Sequence, residues 1–169
     1  MRHLESKRLR TLALAGLVLL TAATGKPAWS GLPDWRRYLE IINPTSDIAT
    51  ELRHYQVGQV VSLDDPRFSA TNARWGLWVP PEFLPDTGAG LYFLQEYDRD
   101  KTPILFVHGS GGNPTDFRPL IEGLDRSRYQ PWVYFYPTGT RLERQSELLH
   151  HMLTALQNQL EFQQLCVLA

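Results

Sequence analysis

The sequence predicts an α/β fold, a mostly parallel sheet with flanking helices. Three observations carry this prediction. Continuous apolar runs recur as ILFVH, PWVYFYP and QLCVLA, the pattern of strands covered on both faces. Between them, apolar residues fall every three to four positions, the period of a helix packed on one side. The resulting order of strand, helix, strand, helix, strand is that of parallel strands joined by right-handed crossovers.

The chain opens with Arg2, Lys7, Arg8 and Arg10 against a single Glu5, followed at once by TLALAGLVLLTAA. A basic segment, a short apolar run and then small residues describe a secretory signal over residues 1–25, with cleavage expected after Ala23 or Gly25. The run is shorter than the roughly 20 apolar residues of a membrane span, so an uncleaved anchor is the lesser alternative. The expected destination is across the membrane, periplasmic or secreted. Residues 26–89 read as an extension ahead of the main domain. In it, Trp35, Tyr38, Leu39 and Ile42 share one face of a helix. That face packs on the domain or, with Arg36 and Arg37 beside it, lies at the membrane surface.

QVGQVVSL reads as the first strand. The stretch DDPRFSATNARWGLWVPPEFLPDTGAG, broken by Pro80, Pro81, Pro85, Gly88 and Gly90, reads as mostly loop with short helical turns. LYFLQEY is the next strand, and the polar turn DRDKTP leads into ILFVH. DFRPLIEGL follows as a helix facing inward through Phe117, Leu120, Ile121 and Leu124. With Asp116 as its cap, Pro119 falls in the first turn, where a missing N–H costs little. Leu142–Leu160 is a longer helix with Leu149, Met152, Leu153, Leu156 and Leu160 on one side. The single cysteine, Cys166, lies in the last apolar run and is expected as a buried, inert thiol.

Lys and Arg total 17 against 18 Asp and Glu, so no charge imbalance points to nucleic acid. The feature that asks for chemistry is HGSGGNP, where His108, Gly109, Ser110, Gly111 and Gly112 follow the strand ILFV. A loop there faces the usual ligand crevice of a parallel sheet, and its main-chain N–H groups favour negative charge. The nucleotide patterns do not fit. The lysine of GxxxxGK[ST] is missing, and Pro114 stands where GxGxxG needs its third glycine.

PILFVHGSGGNPTDFRPLIEGL resembles the third strand, oxyanion loop and first helix of an α/β-hydrolase of the lipase and esterase kind. YQPWVYFYPTGT is similar to the fourth strand and its loop, and the segment from ELLHHM to the end to the next helix and fifth strand. GLYFLQEYDRDKTP would then be the second, antiparallel strand. The resemblance covers residues 90–169 and implies half of such a domain, acting on an acyl ester or lipid substrate. It implies no metal or organic cofactor. Position by position, it makes Ser110 and Gly111 the source of an oxyanion N–H, with His108 and Gly109 shaping the turn.

The family's nucleophile stands on a GxSxG elbow after the fifth strand, with the acid and the histidine later, so the triad is expected to be absent from this chain. The expectation is therefore a chain inactive as it stands, or else a non-enzymatic exported module that binds through an open sheet edge. Ser110 is off the elbow pattern, because His108 replaces its first glycine. His150 and His151 are adjacent on a helix, which turns them apart. One is expected at the surface and one at a packed edge, and neither as a metal ligand. Asp64, Asp65, Asp98 and Asp100 read as turn residues, and His54 has no visible partner.

Overall fold

A computed structural model describes residues 47–169. The strands are β1 (Gln56–Val60), β2 (Gly90–Phe93), β3 (Thr102–Val107), β4 (Tyr129–Phe135) and β5 (Cys166–Leu168). The helices are α1 (Ile48–Leu52), α2 (Ala70–Trp78), α3 (Pro80–Thr87), α4 (Arg118–Glu122) and α5 (Leu142–Leu160). The strands form one sheet in the order β1-β2-β4-β3-β5. β3 is parallel to both β4 and β5, β1 is parallel to β2, and the β2–β4 pair is antiparallel. The fold is α/β with a mixed, mostly parallel sheet, as the apolar runs predict.

The central strands carry the core. Leu105, Trp132, Val133 and Phe135 are wholly buried, and Phe106 and Tyr134 nearly so. Trp132 stacks on Phe93 with ring centroids 4.3 Å apart, and Phe162 meets it edge-on at 5.4 Å. On the other side, Phe68 sits edge-on to Tyr92 at 5.7 Å and to Phe135 at 5.3 Å. Such contacts add roughly 0.5–1.5 kcal/mol each beyond area burial. The polar exception is the buried Gln130 of β4. Its amide donates to the carbonyls of Asp98 (2.7 Å) and Lys101 (2.8 Å) and accepts the Asp98 N–H (3.0 Å). One side chain thereby satisfies the turn that feeds β3.

Several expectations need correction. Residues 64–89 are two helices and a 3₁₀ turn rather than mostly loop. The reason lies at their starts. Ser69 caps α2 by accepting the Asn72 N–H, and Pro80 and Pro81 occupy the first turn of α3, where prolines belong. The segment after β3 is a 3₁₀ turn, Pro114–Phe117, leading into α4. Its cap is Asn113, with Asp116 as the reciprocal partner of a capping box. Pro119 does fall in the first turn of α4, but Leu120 points to solvent. The buried face of α5 includes Leu148 and Gln145 as well as Met152 and Leu156.

β5 is the largest departure. It is exposed along its length rather than buried, and Cys166 is an exposed thiol. It pairs with β3 alone among the described residues, so its outer edge and the side chains of Val167 and Leu168 meet solvent. The expected signal over residues 1–25 and the expected helix at Trp35–Ile42 lie outside the described residues. Among the described residues, no helix is long and apolar enough to cross a membrane.

An open apolar strand edge is a template for pairing with another chain. Sedimentation velocity should therefore show association that grows with protein concentration. Val167→Lys should suppress it with the melting temperature little changed, because a solvent-facing substitution typically shifts stability by about 0.5 kcal/mol or less. A wild-type chain that stays monomeric at high micromolar concentration would remove the edge as the cause.

Candidate functional site

Parallel pairing of β3 with β4 brings Val107 opposite Tyr134, so both strands release their chains at the same end of the sheet. The two emerging loops, residues 108–113 and 136–141, run side by side. His108 is the join between them. It is 3 % exposed, and its ring stacks on Tyr136 at 4.6 Å and 17°. The Tyr136 main-chain N–H reaches Nε2 of His108 at 3.4 Å, and the Tyr136 hydroxyl donates to the His108 carbonyl at 2.8 Å.

These contacts assign the tautomer of His108. A main-chain N–H can only donate, so Nε2 must be the acceptor. Nδ1 then carries the proton, facing the Gly109 carbonyl oxygen at 3.1 Å. Burial pushes the imidazole below its usual pKa, against the opposing pull of the Gly109 carbonyl and Asp116. His108 is thus a neutral structural residue with both nitrogens engaged.

The loop after it is a tight turn. The Gly112 N–H donates to the Gly109 carbonyl at 3.1 Å, and Gly111 has φ 71°. A positive φ at the third position is what a type II turn requires, and glycine supplies it without strain. Gly112 is needed for a different reason, since a Cβ there would stand 2.7 Å from Asp116 Oδ2. Turn and cap therefore account for two of the loop's three glycines. A Cβ on Gly109, by contrast, would meet nothing within 4 Å.

The main-chain donors of this loop are unequal. The Asn113 N–H is taken by Asp116 Oδ2 at 2.9 Å, and the Thr115 N–H by Asn113 Oδ1 at 2.8 Å. The Gly111 N–H is taken by the Thr138 hydroxyl of the neighbouring loop at 3.0 Å. Ser110 is exposed, and neither its N–H nor its hydroxyl has a partner among the described residues. An anion-binding use of the following helix is disfavoured. That helix is five residues long, and the Asp116 carboxylate already occupies its approach.

Thr138 belongs to a braced loop. The Gly139 N–H donates to the Gly76 carbonyl at 2.8 Å, and a Cβ on Gly139 would overlap the Leu77 carbonyl. Thr140 donates to the Pro137 carbonyl at 2.7 Å and accepts from Gln145 Nε2 at 2.9 Å. The buried Gln145 also accepts the hydroxyls of Tyr134 (2.8 Å) and Tyr55 (3.2 Å). Burial pushes both phenols above their ordinary pKa, so they remain donors at neutral pH.

The four residues singled out from the sequence, His108, Gly109, Ser110 and Gly111, do lie together on one loop. Their parts differ: the N–H groups of Gly109 and Ser110 are both without a partner among the described residues, and Gly111 donates to Thr138. The residues missed were Tyr136, Thr138 and Gln145, whose only trace in the sequence is the PTGT turn after a buried strand. His150 and His151 are both exposed on α5, with rings 5.8 Å apart, rather than one exposed and one packed. Among the described residues, no group of three or more His, Cys, Asp or Glu is placed to hold a metal. A cavity of about 920 Å³ opens at the opposite end of β3, between Tyr97, Arg99 and Lys101 and the stretch Leu160 to Gln164. None of its lining residues belongs to the Ser110 loop, so the concavity and the open donor are separate features.

Two outcomes follow. Thr138→Val should speed hydrogen exchange at the Gly111 amide at least about tenfold, while Thr138→Ser keeps the protection, because only the hydroxyl is needed. Equal exchange in both variants would dissolve the assigned bond. For His108, the folded pKa lies below the unfolded value of about 6.5, so the unfolded chain takes up the proton first. Its stabilisation is complete above about pH 6.5 and falls as pH drops, by at most about 1.4 kcal/mol per pH unit. The melting temperature of wild type should decline between about pH 7 and pH 5, and His108→Phe should flatten that decline.

No protein-family model, curated protein or solved structure matches this chain.

Proposed function

We propose that residues 90–169 form the amino-terminal half of a serine-hydrolase-type domain of the lipase and esterase kind, working on acyl esters after export. The observation that carries this reading is the open Ser110 N–H at the carboxyl end of β3, presented by a turn that its neighbours hold still. The antiparallel β2–β4 pair and the order of loop, helix and strands after it support this reading, while β1 runs parallel to β2.

In that chemistry a serine oxygen attacks the ester carbonyl carbon while a histidine removes its proton. The carbonyl π pair moves to oxygen, and the Ser110 N–H donates to the oxyanion as charge develops. Collapse expels the alkoxide, which takes the proton from the histidine, and water then releases the acid by the same steps. This chain's share is the donor. Its described residues hold no serine with a histidine base: Ser110 has no partner, and His108 spends both nitrogens on the backbone. Residues 47–169 should therefore hydrolyse no ester by themselves.

A second reading, a non-enzymatic exported module, is favoured by the exposed edge of β5. A defined complex formed by backbone pairing along Cys166–Leu168, with no ester hydrolysis in any assembly, would select it.

The test begins with a fluorophosphonate probe, which should leave the chain unlabelled. Labelling at Ser110 would overturn the assignment of that residue as a backbone donor. Sequencing beyond the Ala169 codon should find a GxSxG elbow and later an acid and a histidine. In the product carrying them, Ser110→Pro deletes the N–H at a turn position proline tolerates. It should lower kcat about 10²–10³-fold with KM little changed. Unchanged kcat would remove Ser110 from the chemistry.

A further inference from the structure

Helix α2 is packed inside out. Its buried residues, Ala73 and Gly76, are both small, while Trp75 and Trp78 are 42 % and 73 % exposed. The close fit explains the inner face. A Cβ on Gly76 would lie 3.0 Å from the Phe83 ring and 3.3 Å from the Pro137 backbone, so the helix is pressed onto α3 and the loop after β4. Nothing in that packing asks for indoles on the outside. Trp75 and Trp78 are three residues apart and so lie on neighbouring parts of one surface, and Arg74, also exposed, is four residues from Trp78. Among the described residues Arg74 has no carboxylate partner.

The same helix borders the candidate site. Its Gly76 carbonyl holds the Gly139 N–H, and Leu77 Cδ2 lies 3.5 Å from where a Cβ of Gly111 would stand. Leu142, the first residue of α5, is 69 % exposed just beyond that loop. Large apolar side chains left in water on a rigid helix mark a docking surface. Exposed tryptophans beside an arginine select its chemistry, because indoles settle at the headgroup level of a bilayer and the guanidinium meets anionic lipid.

We infer that α2 is a membrane-docking surface, through which Trp75, Trp78 and Arg74 seat the Ser110 end of the sheet on an anionic lipid bilayer. That the ester acted on is itself a lipid rests on the acyl ester reading. The docking does not, and its test uses no ester, so the two fail separately. The docking is also distinct from attachment through residues 1–25, which α2 substitutions leave intact.

The experiment uses the full chain with vesicles of phosphatidylcholine, with and without phosphatidylglycerol. Wild type should bind the anionic vesicles. Trp75→Ala with Trp78→Ala should weaken binding about 30-fold, and Arg74→Gln about fivefold on anionic vesicles and little on neutral ones. Trp75 keeps more than half of its surface covered, so the double alanine variant should melt somewhat lower while staying folded, and the Trp75→Phe, Trp78→Phe chain should melt close to wild type. The decisive readout is quenching by brominated lipid, comparing wild type with the chain carrying Trp75→Phe and Trp78→Phe. Fluorescence from residues 75 and 78 that is quenched on binding supports the inference even if residues 1–25 dominate the affinity. No binding, or identical quenching in both chains, overturns it. An oligomer that the double alanine variant dissolves, with no such quenching, also overturns it and assigns the face to a second copy of the chain.

Discussion

Because Val107 and Tyr134 pair near the end of a parallel ladder, the loops after β3 and β4 have no choice but to emerge together. Everything at the candidate site follows from that adjacency. A buried imidazole can stack on Tyr136 only because Tyr136 is the next residue out of the neighbouring strand. Thr138 can reach Gly111 only because its loop starts from the same level. The antiparallel β2–β4 pairing brings the start of β2 to the same end. The residue before β1, Tyr55, is therefore close enough to meet Gln145.

The polar groups at this end are buried and costly unless paired, so their pairing is what makes the arrangement specific. Gln145 satisfies Tyr134, Tyr55 and Thr140 together, and His108 satisfies both its nitrogens with main chain. A buried group left without its partner costs about 1–3 kcal/mol, which exceeds what most single contacts contribute. Loop displacement would strand several such groups at once, so the loops are held by the penalty of moving rather than by any one strong bond. Trp132 differs. Its buried indole N–H has no partner among the described residues, and ring stacking with Phe93 is what holds it.

Legibility in the sequence divides along physical lines. β3, β4 and α5 were readable because burial on both faces, or along one stripe, leaves a periodic trace, and α5 runs over the residues its periodicity marks. The helices before β2 are hidden in the sequence because proline looks like a break wherever it stands, although Pro80 in a first turn is a start. The apolar run of β5 says only that the strand is suited to burial. It does not say what lies on either side. At the site, glycines marked the loop, but the division of its donors depended on Thr138, a residue 27 positions away that no local pattern connects to Gly111.

That division bears on whether the loop is more than a turn. An oxyanion donor is effective when it needs no reorganisation as charge develops, so it must be fixed before the substrate arrives. Adjacent amides in a flexible glycine loop would each sample many directions, and the turn hydrogen bond from Gly112 to Gly109 restrains only the ends. By occupying the Gly111 N–H, Thr138 immobilises the peptide that follows Ser110, and His108 fixes the residue before it through Gly109. The amide between them is left open yet has little freedom. Gly111 is satisfied from another strand's loop and Asn113 by the turn's own Asp116, while the exposed Gly109 N–H, like that of Ser110, has no partner among the described residues, so what sets the Ser110 amide apart is its fixed direction.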